Sequence, residues 1–376
     1  MHEVAAQVWR LLAEADRLPL SAAKLAVLQE AVHLADAHNE IDLAIEARRP
    51  LMFVARNLLR GDILTAAFTW CLAHYDREPQ RFGGRDLFWE YRMVIGQLAN
   101  LADVPRTKLQ ELLDDFGRRL QAAGRSLAPL YDTQRSIAAD LGDRAMAIAA
   151  NEAIRRHRLT PGGDLVGDRF DDIETALFLG DEERALQLAE PLLRRNRPLD
   201  RPGSETAYAG LLLPLWKRKR LADAVRLEKR CARACRPEHY YYWWYGDLLK
   251  WLTLTNQLGR AVPLYEACQR AMNSYTDPLT RLHFVLDALV LFERLHRQGR
   301  RTLAARLPEL VPVPSIDGLY DVEELDAWLH REARELAEGF DARNGNDYFR
   351  QQIQERLELS READVNEFPL TPADGL

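Results

Sequence analysis

RFDDIETALFLGDEERALQLAEPLLRRN, residues Arg169–Asn196, decides how the chain is read. Ile173, Ala176, Leu177 and Leu179 precede Gly180-Asp181; Ala185, Leu188, Ala189 and Leu192 follow it. Spacings of three and four residues place each group on one side of an α-helix. Glycine at the junction takes the positive φ that often ends a helix, and Asp181 can cap the next one. The stretch predicts two short antiparallel helices, each with one apolar face. Such a hairpin cannot bury both faces alone, so it needs neighbours of its own kind.

Similar punctuation recurs at Gly61-Asp62, Leu101-Ala102-Asp103, Gly142-Asp143, Arg220-Leu221-Ala222, Gly259-Arg260 and Gly299-Arg300. Counted at 61, 102, 142, 180, 221, 259 and 299, the turns are 41, 40, 38, 41, 38 and 40 residues apart. A period near forty with a turn at its midpoint is the mark of stacked helical hairpins. Extrapolation adds turns at Leu18-Pro19-Leu20 and near Gly339, for about eight or nine units.

Gly61, Ala66, Trp70 and Ala73, with Pro79 beyond, resemble the second helix of a tetratricopeptide repeat. Gly180, Ala185, Ala189 and Leu192, with Pro198 beyond, follow the same frame, and Ala261, Tyr265 and Cys268 also fit it. Small residues there let helices approach, while an aromatic side chain fills the gap between units. The resemblance implies an all-α, right-handed superhelical solenoid of stacked antiparallel hairpins whose concave groove binds a protein or peptide. Units near forty residues exceed the usual tetratricopeptide length of about 34. A HEAT-type array is the nearest structural alternative.

Hydrophobic residues make up 47% and charged residues 29% of the 376, enough apolar surface for an extended core. The first residues lack a signal-peptide pattern and no run of 18 apolar residues occurs, so a cytoplasmic protein is the expectation. Arginine greatly outnumbers lysine, a bias of GC-rich bacterial coding. The net charge of −6 is uneven: residues 321–376 carry 15 acidic and 6 basic side chains. The organisation expected is a repeat array over 1–308, a loop and acidic capping helices over 309–361, and a tail over 362–376. Pro308, Pro312 and Pro314 interrupt helix formation, Asp321–Glu338 resumes it, and Phe340–Asp347 breaks it again before a last helix to Arg361. The Asp/Asn content of that break lacks the spacing and closing Glu of a calcium loop, so a capped turn is expected.

Signs of catalysis are sparse. Cys231, Cys235 and His239 stand four apart, with Cys268 one unit later, but Pro237 breaks the helix that would align them. Cys71 and Cys268 fall on packing positions, where thiols serve as small hydrophobes. Gly162 and Gly167 have the glycine spacing of a phosphate loop, yet Asp168-Arg169 stands where Lys and Ser or Thr belong. HExxH, GxSxG and paired CxxC motifs are absent. No metal or cofactor is expected. A helical-repeat enzyme remains the alternative to a binding protein, because active sites also assemble from distant residues.

The most unusual composition lies between Trp216 and Trp251. Residues 216–236 hold nine basic side chains against Asp223 and Glu228, and Tyr240–Tyr245 is an aromatic run. In the repeat frame Trp244, Leu248, Trp251 and Leu252 fall on the packing face, while Trp243, Asp247 and Lys250 fall on the inner groove with Trp216 and Lys217. Two readings stay open: aromatic core with a solvated arginine rim, or a recognition patch of aromatic anchors and basic groups suited to an acidic or phosphorylated peptide. The acidic balance and the lack of a nucleic-acid-binding fold argue against nucleic acid. The Lys/Asn pair of carboxylate-clamp repeats is missing from Leu51/Ala55, Phe170/Glu174, Ala209/Leu213 and Gly246/Lys250. A protein-binding scaffold is the first expectation, and a peptide-sensing regulatory subunit is its rival.

Overall fold

The computed structural model describes residues 2–157, 165–194, 206–235, 242–272, 277–309 and 311–365. They are predominantly α-helical with one three-stranded sheet, and no helix among them is long and apolar enough to cross a membrane. The chain divides into two compact units: Met1–Asn100 with Arg106–Thr133, and Leu101–Pro105 with Gln134–Leu376.

The first unit contains α1 (His2–Arg17), α2 (Ala22–Ala37), α3 (Ile41–Asn57), α4 (Gly61–Arg77), α5 (Phe88–Ala99), α6 (Arg106–Ala122) and the start of α7 (Ala128–Asp140). From α1 to α6 each helix packs on the next, and α1 with α3 and α3 with α5 also touch. The second unit holds the end of α7, then α8 (Arg144–His157), α9 (Leu165–Phe178), α10 (Glu182–Leu193), a 3-10 turn (Thr206–Leu211) leading into α11 (Leu212–Lys217), α12 (Leu221–Ala234), α13 (Tyr242–Leu254), α14 (Leu258–Met272) and α15 (Pro278–Arg297). It continues with β1 (Thr302–Ala304), β2 (Ser315–Ile316), β3 (Leu319–Asp321), α16 (Val322–Asn344) and α17 (Tyr348–Val365).

The α9–α10 hairpin matches the reading of its sequence. Gly180 has φ +79°, and Asp181 accepts a hydrogen bond from the Arg184 N–H at 3.0 Å. Ile173, Ala176, Ala185 and Ala189 are buried. One backbone bond repeats at the hairpin turns: Arg60 N–H to Ala55 C=O, Asp143 to Ala138, Asp181 to Ala176, Arg220 to Leu215 and Gln257 to Leu252, all at 2.8–2.9 Å. This is the six-to-one bond that closes a helix through one left-handed residue. The left-handed positions are Leu59, Gly142, Gly180, Lys219 and Asn256, so glycine supplies only part of the set.

Those positions correct the repeat frame. Five, nine and twelve residues after Leu59, Gly180, Lys219 and Asn256 stand Leu64/Phe68/Cys71, Ala185/Ala189/Leu192, Ala224/Glu228/Cys231 and Ala261/Tyr265/Cys268, buried throughout, whereas after Gly142 the middle residue, Asn151, is half-buried. Gly61 and Gly259 belong to the helices that follow their turns. Ala66 and Ala73, aligned with small packing positions in the sequence reading, are exposed because that alignment took Gly61 for the turn residue. Gly61 has a different constraint: a Cβ there would come within 2.8 Å of Gln97 Cγ.

The repeat breaks after α15. Instead of a second helix, the proline-bearing segment forms an antiparallel sheet in the order β1-β3-β2. The turn expected near Gly339 lies at Gly345, with φ +70°, because α16 runs unbroken through Asn344. Asp341 then serves as a capped turn requires: its carboxylate accepts from the Phe349 and Arg350 N–H groups at 2.9 and 3.0 Å. Gly167 lies within α9, whereas Gly162 and His239 lie outside the described residues, so the phosphate-loop spacing does not mark a single loop.

Candidate functional site

In the second unit, α17 packs against α15 and α16, beside the contact between α13 and α15. Glycine makes this contact possible: a Cβ at Gly246 would sit 2.5 Å from Asp287 Oδ2, and one at Gly210 would sit 3.2 Å from Asp247 Oδ2. Asp287 accepts from Lys250 Nζ at 3.0 Å and from Arg356 Nε of α17 at 2.8 Å. Lys250 also donates to Asp247 at 2.7 Å. Two acids and two bases thus form one linked group.

Burial alone would raise the Asp287 carboxyl, but the positive charges of Lys250 and Arg356 hold it below the usual carboxylate range. Beside it, burial pushes His283 down to about 4, against the pull of Asp287. His283 meets the Phe349 ring edge-on at 5.8 Å. Farther along α17, Ser360 donates to the Val290 carbonyl at 3.4 Å and Arg361 reaches Glu293 at 3.3 Å. Leu359 packs with Leu213, Leu254 and Val290.

The turn between α16 and α17 is held by helix ends. Arg343 donates to the Leu101 carbonyl at 3.0 Å, Asn344 to that of Asp140 at 3.3 Å, and Asn346 to that of Leu141 at 2.8 Å. Carbonyls at the C-terminus of a helix lack intrahelical partners, and these amide and guanidinium groups supply them. Burial raises the Asp140 carboxyl to about 7, reinforced by Asp277 and opposed by Arg343.

The residues read from sequence as a groove divide into three groups. Asp247 and Lys250 do lie together, but Lys250 is only 5% exposed and engaged in the ion cluster. Trp216 is half-buried, while Lys217 is exposed and bonded to Glu182 of α10 at 2.6 Å. The side chains of Trp243 and Trp244 lie outside the described residues. Much of the basic stretch is already neutralised: Arg218 meets Glu183, Arg220 meets Glu190 and Asp223, and Arg226 meets Asp223. Leu248 and Trp251 are buried, as the packing-face assignment expects. Cys71, Cys231 and Cys268 are buried and Cys235 is half-buried; burial raises the Cys71 thiol to about 12.

A different aromatic pair is open. In the first unit Phe53 and Trp89 stack with centroids 6.0 Å apart and remain 48% and 47% exposed. Arg49, Phe53 and Arg56 share one stripe of α3; Trp89 and Arg92 share one of α5. The Arg49–Glu90 ion pair at 3.0 Å joins the two helices, and Arg92 pairs with Asp132. Leu51 and Ala55, taken from sequence as groove positions, are instead buried. Phe53 stands six residues before its left-handed turn residue, as Lys250 does before Asn256. That position is buried at Lys250, half-buried at Leu213 and exposed at Phe53, Ser136 and Glu174.

No protein-family model matches the chain, and comparison with curated proteins finds none significantly similar in sequence.

Proposed function

We propose that this protein is a non-catalytic helical-repeat scaffold, a superhelical array of tetratricopeptide-like hairpins that holds a protein or peptide partner. The observation carrying this reading is the stacked, half-exposed Phe53–Trp89 pair on the first unit. Large aromatic side chains beside arginines make effective interface anchors. Arg49, Arg56 and Arg92 border the pair, with Arg49 on Glu90 and Arg92 on Asp132. An extended segment with an apolar side chain between acidic residues suits that chemistry: the rings take the apolar group and the guanidinium forks take carboxylates.

The test is affinity capture from native lysate with quantitative mass spectrometry, comparing the wild-type chain with the Phe53→Ala/Trp89→Ala double variant. A partner held by wild type and depleted at least tenfold on the folded double variant supports the assignment. An unchanged set of captured proteins removes the aromatic pair from it, and turnover of a captured small molecule would replace the scaffold reading with an enzyme.

A further inference from the structure

We propose that the α13–α15 face of the second unit is a helix-binding site for an amphipathic helix of a partner protein that bears two arginines on its docking face, with α17 as its resident intramolecular occupant. This inference does not depend on the aromatic pair of the first unit.

The occupant defines what the face accepts. Along α17 the residues turned inward are Phe349, Ile353, Arg356 and Ser360, at spacings of four, three and four. Phe349 sits against Phe340 and His283, Arg356 on Asp287, Ser360 on the Val290 carbonyl and Arg361 on Glu293. The receiving face presents Asp247, Asp287 and Glu293 against Lys250, with His283 neutral near pH 7. Of these acids, Asp287 is matched by Arg356 and Glu293 by Arg361. A competing helix needs an aromatic residue, an aliphatic four positions later, Arg at seven, a small residue at eleven and Arg at twelve.

The two C-terminal helices are held differently. α16 buries Val322, Leu325, Leu329, Ala333, Ala337 and Phe340, an apolar stripe of a core helix. α17 buries Phe349 and Ile353 and sets Tyr348 edge-on to Phe178 at 5.8 Å, and it makes its other described contacts through arginines, a hydroxyl and the partly exposed Leu359. Polar contacts of this kind resemble exchangeable interfaces more than a permanent core. Departure of Arg356 leaves Lys250 between Asp247 and Asp287, so no cation is stranded.

The probe is a fluorescein-labelled synthetic peptide spanning residues 347–365, added to the full-length chain and followed by anisotropy. Arg356→Glu in the protein loosens the resident helix and should tighten peptide uptake at least tenfold over wild type. A peptide carrying the same Arg356→Glu change should lose at least tenfold in affinity. In wild-type protein, amide hydrogens of α17 should exchange at least tenfold faster than those of α15. Arg361→Glu replaces the first variant if circular dichroism shows that Arg356→Glu has lost helix. Equal peptide uptake by wild type and a folded variant, or equal amide protection of α17 and α15, would make α17 a fixed part of the core and overturn the proposal.

Discussion

Gly142→Ala tests the docking of the C-terminal hairpin with an internal control. Gly142 has φ +61°, and a Cβ there would lie 2.5 Å from Tyr348 Cβ and 2.6 Å from its Cγ. Those atoms are close to the α17 backbone and cannot swing aside like the end of a long side chain. A left-handed non-glycine residue costs about 1–2 kcal/mol, and forcing an extra carbon into a packed contact adds about 1–3 kcal/mol. The substitution should therefore cost about 2–5 kcal/mol in total. Gly180→Ala supplies the comparison: φ is +79°, but nothing lies within 4 Å of its Cβ. Only the backbone penalty of about 1–2 kcal/mol applies. Urea midpoints followed by circular dichroism would measure both variants, with hydrogen exchange reporting on α17. Gly142→Ala should lie below Gly180→Ala and should speed exchange across Phe349–Ser360. Equal midpoints with undisturbed α17 exchange would refute the packing of Tyr348 against this turn.

Four further outcomes follow from the two units. Asp140 has a folded pKa raised to about 7 from 3.8, so its favourable contribution is present below about 4 and lost as pH rises through 7; Asp140→Asn should raise Tm more at pH 8 than at pH 5. His283 is depressed from 6.5 to about 4, so its contribution is present above 6.5 and lost as pH falls through 4; His283→Gln should flatten the acid side of the Tm profile. Asp287→Asn removes the shared acceptor of Lys250 and Arg356 and should destabilise by about 3–5 kcal/mol, measured by urea unfolding. Phe53→Ala and Trp89→Ala remove half-exposed rings and should each cost about 1 kcal/mol of stability or less, read from the same unfolding curves.

The hairpin at Gly180 was legible because its apolar spacing, left-handed glycine and Asp cap agree locally. The frame at Gly61 was not: Leu59 takes the left-handed conformation, and nothing in its side chain advertises that. Six-to-one closure depends on backbone geometry, which can outweigh the preference for glycine. Pro308, Pro312 and Pro314 correctly marked a break, but the short sheet depends on pairing Thr302–Ala304 with Leu319–Asp321 across the intervening loop.

Asp247 and Lys250 were placed on one helix face by spacing alone. Their burial depends on Arg356 and on α15, contacts remote in sequence, so helical periodicity could not reveal the occupied groove. Phe53 was missed for the opposite reason. The Arg49-x3-Phe53-x2-Arg56 stripe on α3 already signalled an aromatic outside the apolar face, but the misplaced repeat frame directed attention to Leu51 and Ala55.

Photo-crosslinking at the open aromatic pair tests the scaffold assignment most directly. A benzoylphenylalanine residue replaces Trp89 in the native host, and the same residue replaces Ile316, which is 79% exposed on β2, as the control. The account predicts one dominant protein adduct from position 89, absent from position 316 and lost when Phe53→Ala is added. The same adducts from both positions, or none from position 89 while the protein remains folded, would contradict it.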